Sequence, residues 1–218
     1  MVEQNQALTH SLYRATRVIV VGPMPLTPER DLEQLPLAAC PTLFIDGGKT
    51  HQDHFNHTPS LSIGDGDSYK GPLDLILPKN KNISDLKAGL DLLSSEVEEI
   101  YFLGLCGGRK DHELINLGEI YHFLLRQQVP CRAFFDKDFH AVQKGTYELS
   151  YQGIFSLLAF QNTLVTLTGQ VEYQLAQPTL LQSFSSQGLS NQSHGIFTLS
   201  CNLPIFLLLP GGALWPRP

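Results

Sequence analysis

Several things are missing from this 218-residue chain. No segment approaches the ~20 consecutive apolar residues that a membrane-crossing helix needs; the longest apolar run near the end is PIFLLLP, residues 204 to 210. The opening residues, MVEQNQALTHSLYRATRVIVVG, lack the basic start, continuous apolar centre and small-residue cleavage site of a secretory signal. There is no dense Lys/Arg run, and the formal net charge is −6, which argues against the basic footprint of a duplex-binding protein. Internal repeats and low-complexity segments are absent too. Cysteine is scarce: Cys40, Cys106, Cys131 and Cys201 are widely separated, with no C-x-x-C pair and no His at zinc-finger spacing. They read as buried thiols. From these absences the expectation is a soluble, cytoplasmic protein with neither nucleic acid nor membrane as partner. A small polyanion stays compatible, because a cation and a few local donors neutralise phosphate without a basic surface.

What is present is a 42% hydrophobic content, ample for a buried core. Short β-rich runs alternate with helical patterns through the first two thirds: RVIVVG (17 to 22), TLFIDGG (42 to 48), PSLSIGD (59 to 65), LDLILP (73 to 78), EIYFLGL (99 to 105) and CRAFFD (131 to 136). Near-continuous apolar strands interleaved with helices predict a mostly parallel sheet flanked by helices. Helical spacing of Leu86, Leu90 and Leu93 predicts a helix over 84 to 96 with Ser84 as its cap. A longer helix is predicted from about Asp111 to Gln128, with Leu114, Leu117, Tyr121, Leu124 and Leu125 as its buried stripe. Beyond about residue 145 helical periodicity stops and TYELS, GIFSLLAF, TLVTLTGQVEYQL, GIFTLS and PIFLLLP follow one another. The expected fold class is therefore α/β, with an α/β domain over 1–145 and a smaller all-β domain over 146–218. So small a β unit buries little alone and is expected to lean on the first domain or another subunit. The termini MVEQNQ and GGALWPRP are expected to be loose.

Three expected strands end in unusual chemistry: DGG after TLFI, GDGDS after SLSI, and GLCGGRKDHELIN after EIYFL. In open α/β sheets ligands gather beyond the carboxyl ends of the strands. GDGDS places Asp65 and Asp67 two residues apart. It reads as a solvated turn or as a pair of carboxylates converging on one hard cation. In CGGRKDHELIN, Gly107 and Gly108 allow a turn with exposed N–H groups before a helix start, an arrangement that attracts phosphate, and Arg109 can add paired donors. Asp111 and His112 fall in the first turn, with Asn116 one turn beyond His112. Taken singly, Asp111 reads as a cap, Arg109 as a solvated charge and His112 as a polar side chain over the helix start.

In this order the Gly pair, Arg109, Asp111, His112 and Asn116 closely resemble the R-x-D-H-x-x-x-N signature of thiamine pyrophosphokinases. DGG at 46 to 48, GDGDS, and SDL at 84 to 86 are similar to that family's successive acidic motifs. GQVEYQL (169 to 175) and GLSNQ (188 to 192) resemble its G-x-x-Y-x-L and S-N stretches, so the likeness spans 44 to 195. The resemblance implies a homodimer with an α/β amino-terminal domain and a β-sandwich domain for thiamine binding and dimerisation. Its activity would be transfer of a pyrophosphoryl group from ATP to thiamine with release of AMP. Carried over by position, Asp65, Asp67 and Asp85 would hold Mg2+ against the triphosphate. Gly47, Gly48, Ser68, Arg109, Asp111, His112 and Asn116 would line the nucleotide and phosphate site, and Ser190 and Asn191 would touch thiamine near the subunit interface. Asp46 is expected to orient the thiamine hydroxyl, since a carboxylate of ordinary pKa is a weak base. No covalent nucleophile is needed, so neither Ser68 nor Cys106 is assigned that role.

The chain departs from the family pattern at Asn82, where an acidic residue is usual, at Ser84, where Thr is usual, and at Lys49, where Ala is preferred. Asn82 brings an oxygen without charge, and Lys49 is expected to be solvated. Trp215, the lone tryptophan, lies beyond the matched stretch. Alternative readings are a pyrophosphokinase acting on another hydroxymethyl acceptor such as a pterin, a non-catalytic nucleotide or thiamine binder, and a metal-dependent hydrolase.

Overall fold

A computed structural model describes residues 10–27, 31–32, 35, 40–56, 59–135 and 138–212. The amino-terminal end expected to be loose, the carboxyl-terminal residues 213–218 with Trp215, and Asp136 lie outside the described residues; Gly211 and Gly212 are described, and the Gly211 N–H donates to Asp138 Oδ1 at 2.9 Å. The protein is a mixed α/β chain with extensive sheet and few helices, and it divides into two compact units. The first comprises Met1–Phe123 and Gln127–Val129, the second Leu124–Arg126 and Pro130–Pro218.

In the first unit, strands β1 (Arg17–Val21), β2 (Thr42–Ile45), β3 (Ser60–Gly64), β4 (Leu75–Ile76) and β5 (Glu99–Leu103) run in the order β5-β1-β2-β3-β4. All four pairings are parallel. Val18 to Val21 and Leu43 to Ile45 are buried, as a run covered on both faces requires. On one side Phe44 meets Phe55 edge to face at 5.6 Å, within a cluster that includes Ile19, Val21, Cys40 and Leu103. On the other, helix α1 (Asp85–Leu90) lays Gly89 against Leu43, Ile45 and Ile63.

Local chemistry shortens two expected elements. The expected strand at 73–78 forms a ladder only over Leu75–Ile76, because Asp74 spends its side chain on Ser62 and Pro78 has no N–H to continue the ladder. Helix α1 starts where expected, with Ser84 Oγ accepting the Lys87 N–H at 3.0 Å. It ends at Leu90, and Leu93 is buried from the turn that follows. Between β2 and β3 the chain forms a 3-10 segment, Asp46–Phe55. Helix α2 (Lys110–Leu125) matches the longer expected helix, but its buried residues are Ile120, Tyr121, Phe123 and Leu124. Leu114 is 59% exposed and Leu125 37%, so neither belongs to the buried stripe.

The second unit is antiparallel throughout its described pairings. Strands β6 (Arg132–Phe134), β7 (Phe139–Val142), β8 (Gly145–Leu158), β9 (Thr163–Val171), β10 (Leu175–Leu181), β11 (Asn191–Cys201) and β12 (Ile205–Leu208) run in the order β10-β9-β11-β8-β12-β7-β6. TYELS and GIFSLLAF fuse into the single long β8, whose alternate residues Tyr147, Leu149 and Tyr151 are buried. TLVTLTGQVEYQL instead divides at a turn over Glu172–Gln174. Strands β6 and β7 precede residue 145 yet pair into this unit. Its core is apolar, with Phe155 and Phe197 stacked at 4.9 Å. Cys40, Cys131 and Cys201 are buried as expected, whereas Cys106 is half-buried. Among the described residues no helix is long and apolar enough to cross a membrane.

Because Phe197 is fully enclosed and stacked, Phe197→Ala should cost about 3–5 kcal/mol. Urea unfolding of the two proteins measures this directly, and a loss below about 1 kcal/mol would contradict such packing.

Candidate active site

The carboxyl ends of β1, β2, β3 and β5 all lie at one edge of the parallel sheet, and the loops that leave them are tied to one another. Chain reversal after β2 begins at Asp46, which takes a left-handed φ of +43°. Asp tolerates that conformation better than most side chains. Gly48 then passes so close to β1 that a Cβ there would sit 2.1 Å from the Val21 carbonyl oxygen. Glycine is therefore required at that position. After β1, the Gly22 N–H donates to Leu103 O at 2.8 Å and the Met24 N–H to Gly104 O at 3.0 Å. His51 Nε2 lies 3.0 Å from Met24 O. Asn116, on α2, donates from Nδ2 to Leu105 O at 3.1 Å and so fastens that helix to the loop after β5.

Asp46 is 5% exposed, and a carboxylate at such depth needs hydrogen-bond donors. Its Oδ1 accepts the Gly66 N–H at 3.1 Å and its Oδ2 the Ser68 N–H at 2.9 Å. Both donors belong to GDGDS, and Gly64 supplies the clearance: a Cβ there would come within 2.7 Å of Asp46 Cβ. Anchored in this way, the loop brings one carboxylate oxygen from each of Asp46, Asp65 and Asp67 within 4.8 Å of one another. Asp65 Oδ1 also accepts the Asp67 N–H at 3.2 Å, and Ser68 Oγ donates to Asp67 Oδ1 at 2.7 Å. The Ser68 hydroxyl holds the Asp67 carboxyl below its ordinary value, helped by Asp46. GDGDS is thus both a turn and a convergence of carboxylates.

Asp85, expected to share that cation, reaches the cluster through Lys81. The Lys81 ammonium lies 2.7 Å from Asp65 Oδ2 and 2.9 Å from Asp85 Oδ1. Burial raises the Asp85 pKa, against the pull of Lys81 and with the push of Asp65 and Asp46. For Lys81, burial works downward, and its hydrogen bond to Asp65 and its ion pair with Asp85 outweigh it and leave the pKa raised. Sequence reasoning singled out neither Lys81 nor the buttressing role of Asp46. The i, i+4 spacing of Lys81 and Asp85 was the available signal.

The phosphate-type residues are arranged differently. Arg109, 73% exposed, donates from Nε and Nη2 to the two carboxylate oxygens of Asp111 at the start of α2. That hydrogen-bonded pairing lowers Asp111 to a pKa of about 2. His112 is exposed beside it. Gly47 and Gly48 are buried against the loop after β1. Lys49, expected to be solvated, instead has its ammonium 3.4 Å from Asp74 Oδ2 and 5.8 Å from the centre of the Phe44 ring.

Ser190 and Asn191 belong to the second unit. Ser190 adopts a left-handed φ of +59°, and its N–H donates to Ser156 Oγ at 3.1 Å. Asn191 Oδ1 accepts the Tyr173 and Gln192 N–H groups, and its Nδ2 donates to Tyr173 O. The Asn191 amide therefore holds the turn carrying Tyr173, whose ring is exposed.

No family model matches the sequence, and no curated protein matches it. Solved structures do match its fold. A thiamine pyrophosphokinase from Bacillus subtilis superposes with a TM-score of 0.67 at 20% identity, over 88% of this chain and 98% of that one. The thiamin pyrophosphokinase of Candida albicans gives 0.66 at 15% identity, over 91% and 90%. The yeast thiamin pyrophosphokinase gives 0.63 at 15% identity, over 93% and 88%.

Two outcomes follow from the site's geometry. Asp46→Asn turns an amide N–H2 toward one of the two backbone donors, so it should cost about 1.5–3 kcal/mol in urea unfolding. An unchanged midpoint would contradict the anchoring role. For Asp74, burial acts upward, but the Ser62 hydrogen bonds and Lys49 outweigh it and hold the carboxyl below its ordinary 3.8. A depressed folded-state value contributes stability above pH 3.8 that is lost as pH falls through the folded value. Melting temperature should therefore fall more steeply below about pH 4 in the parent than in Asp74→Asn; parallel curves would contradict this.

Over nearly its whole length, the chain has the fold of the thiamine pyrophosphokinases.

Proposed function

We propose that this protein is a thiamine pyrophosphokinase, transferring the pyrophosphoryl group of ATP to the hydroxyl of thiamine and producing thiamine diphosphate and AMP. The observation that carries the reading is the convergence of Asp46, Asp65 and Asp67 oxygens within 4.8 Å at the strand ends of a chain with this fold. Three hard oxygen donors in reach of one point suit Mg2+, which keeps several waters and needs few protein ligands. Asp65 and Asp67 would hold the ion, with Asp46 and Asp85 as the carboxylates on either side. Bound there, Mg2+ would offset the charge of the triphosphate, the chief requirement of phosphoryl transfer.

The remaining roles fall to the chain's own groups. Arg109, turned onto Asp111 in this structure, has a planar pair of donors suited to phosphate oxygens, and exchanging one anionic partner for another is chemically simple. Gly47, Gly48 and Ser68 shape the backbone beside the carboxylates, while His112 and Asn116 belong to the nucleotide side. Asp46 spends both oxygens on backbone donors, which favours positioning over proton abstraction. In the second unit, read as a β-sandwich for thiamine binding and homodimerisation, Ser190 and Asn191 are assigned to thiamine. The Asn191 contribution is to fix the Tyr173 segment. A cytoplasmic homodimer with a mostly parallel amino-terminal domain is the form proposed for the working enzyme.

Purified protein given ATP, Mg2+ and thiamine should form AMP and thiamine diphosphate in equal amounts. Asp67→Ala should lower turnover on the order of 100-fold or more while melting close to the parent, since Asp46 and backbone N–H groups hold the loop. Release of ADP, phosphate release without acceptor, or a fully active variant would contradict the proposal.

A further inference from the structure

Lys81 has a place in the site that its neighbours do not explain. Its ammonium bridges two carboxylates from separate elements: Asp65 in the loop after β3, and Asp85 in the first turn of α1. All three side chains are largely buried, with exposures of 14%, 14% and 17% for Lys81, Asp65 and Asp85. Lys87 and Lys110, by contrast, pair with acids on exposed faces of their own helices. Those pairs contribute little. Removing one member of a buried pair strands the other charge, which is far costlier.

Two properties of the bridge matter together. Asp46, Asp65 and Asp67 crowd their oxygens within 4.8 Å, and like charges so close repel unless a cation sits among them. Lys81 supplies a positive charge directly on this group. It does so at Asp65 Oδ2, while Asp65 Oδ1 is engaged by the Asp67 N–H. A divalent ion drawing on Asp65 therefore competes with the ammonium for the same carboxylate.

We propose that Lys81 is a resident counter-ion: it holds Asp65 and Asp85 in place while the site lacks a divalent cation, and a divalent cation displaces it from Asp65. The inference rests on reading the Asp46, Asp65 and Asp67 cluster as a cation site. Lys81 is a positioning residue in this account. Its departure from Asp65 would leave it on Asp85, tethered at the helix start beside the incoming charge.

The test uses the full chain and Mg2+ alone, without substrates. After chelation of metals, Lys81→Met should melt about 6–12 °C below the parent, and added Mg2+ should recover most of that loss, giving a larger rise than in the parent. Calorimetry should show Mg2+ binding on the order of thirtyfold tighter in the variant, the effect of removing one unit charge about 4 Å from a divalent ion in water. Lys81→Arg, which can bridge the same carboxylates, should melt like the parent. Lys87→Met, two residues beyond Asp85 and paired with Asp91, controls for loss of a nearby charge and should respond to Mg2+ as the parent does. Equal metal-free melting of parent and Lys81→Met, or a Mg2+ response no larger than that of Lys87→Met, would overturn the proposal. If Lys81→Met does not fold, the double variant K81M/D85N, which removes the stranded carboxylate as well, should recover folding; continued failure would overturn it too. Because these readouts involve no turnover, a protein that makes no thiamine diphosphate would defeat the functional reading and leave this one standing.

Discussion

The carboxylate of Asp46 is the constraint on which the candidate site depends. A buried anion must find donors, and the donors within reach are the peptide N–H groups of Gly66 and Ser68. Satisfying Asp46 therefore selects one arrangement of the loop after β3, the one in which Asp65 and Asp67 come close to Asp46 and to each other. The left-handed turn at Asp46 and the close passage of Gly48 beneath Val21 are the geometric conditions of that contact. Both act through backbone, so the arrangement does not rely on long flexible side chains.

From Asp46 the order spreads by short hydrogen bonds across the strand ends. His51 reaches Met24, Met24 reaches Gly104, and Leu105 accepts from Asn116. Loops following four strands are thereby fixed relative to one another within the first unit. The electrostatics has the same local character. The chain carries a net negative charge overall, yet Lys81, Lys49 and Arg109 each face a specific carboxylate. Each of these cations is thus matched to an acid close by, and none forms part of a broadly basic surface.

Much of this was legible in the sequence because it depends on residues close together along the chain. The strand ends, the GDGDS turn and the cap at Ser84 follow from local patterns, and they appear at the expected positions. What was not legible depends on partners distant in sequence. The expected strand at 73–78 is curtailed because Asp74 bonds to Ser62. Lys49 leaves solvent for Asp74 and Phe44. Leu114 and Leu125 fit the helical period but face outward, since periodicity gives spacing and not the direction of the core. The same limit applies to the site. Asp65 and Asp67 could be paired by eye, whereas the third carboxylate at their side is Asp46, 20 residues before Gly66, and Asp85 arrives only through Lys81. In the second unit, hydrophobic alternation identified strands but could not show that two runs fuse into β8 while another divides at Glu172.

The most direct test of the account is a crystal of the full chain grown with Mn2+ and a non-hydrolysable ATP analogue, with the anomalous signal of the metal used to locate it. The account predicts metal density among the carboxylates of Asp46, Asp65 and Asp67, with triphosphate oxygens completing its coordination. Metal and nucleotide bound away from those three side chains would contradict it.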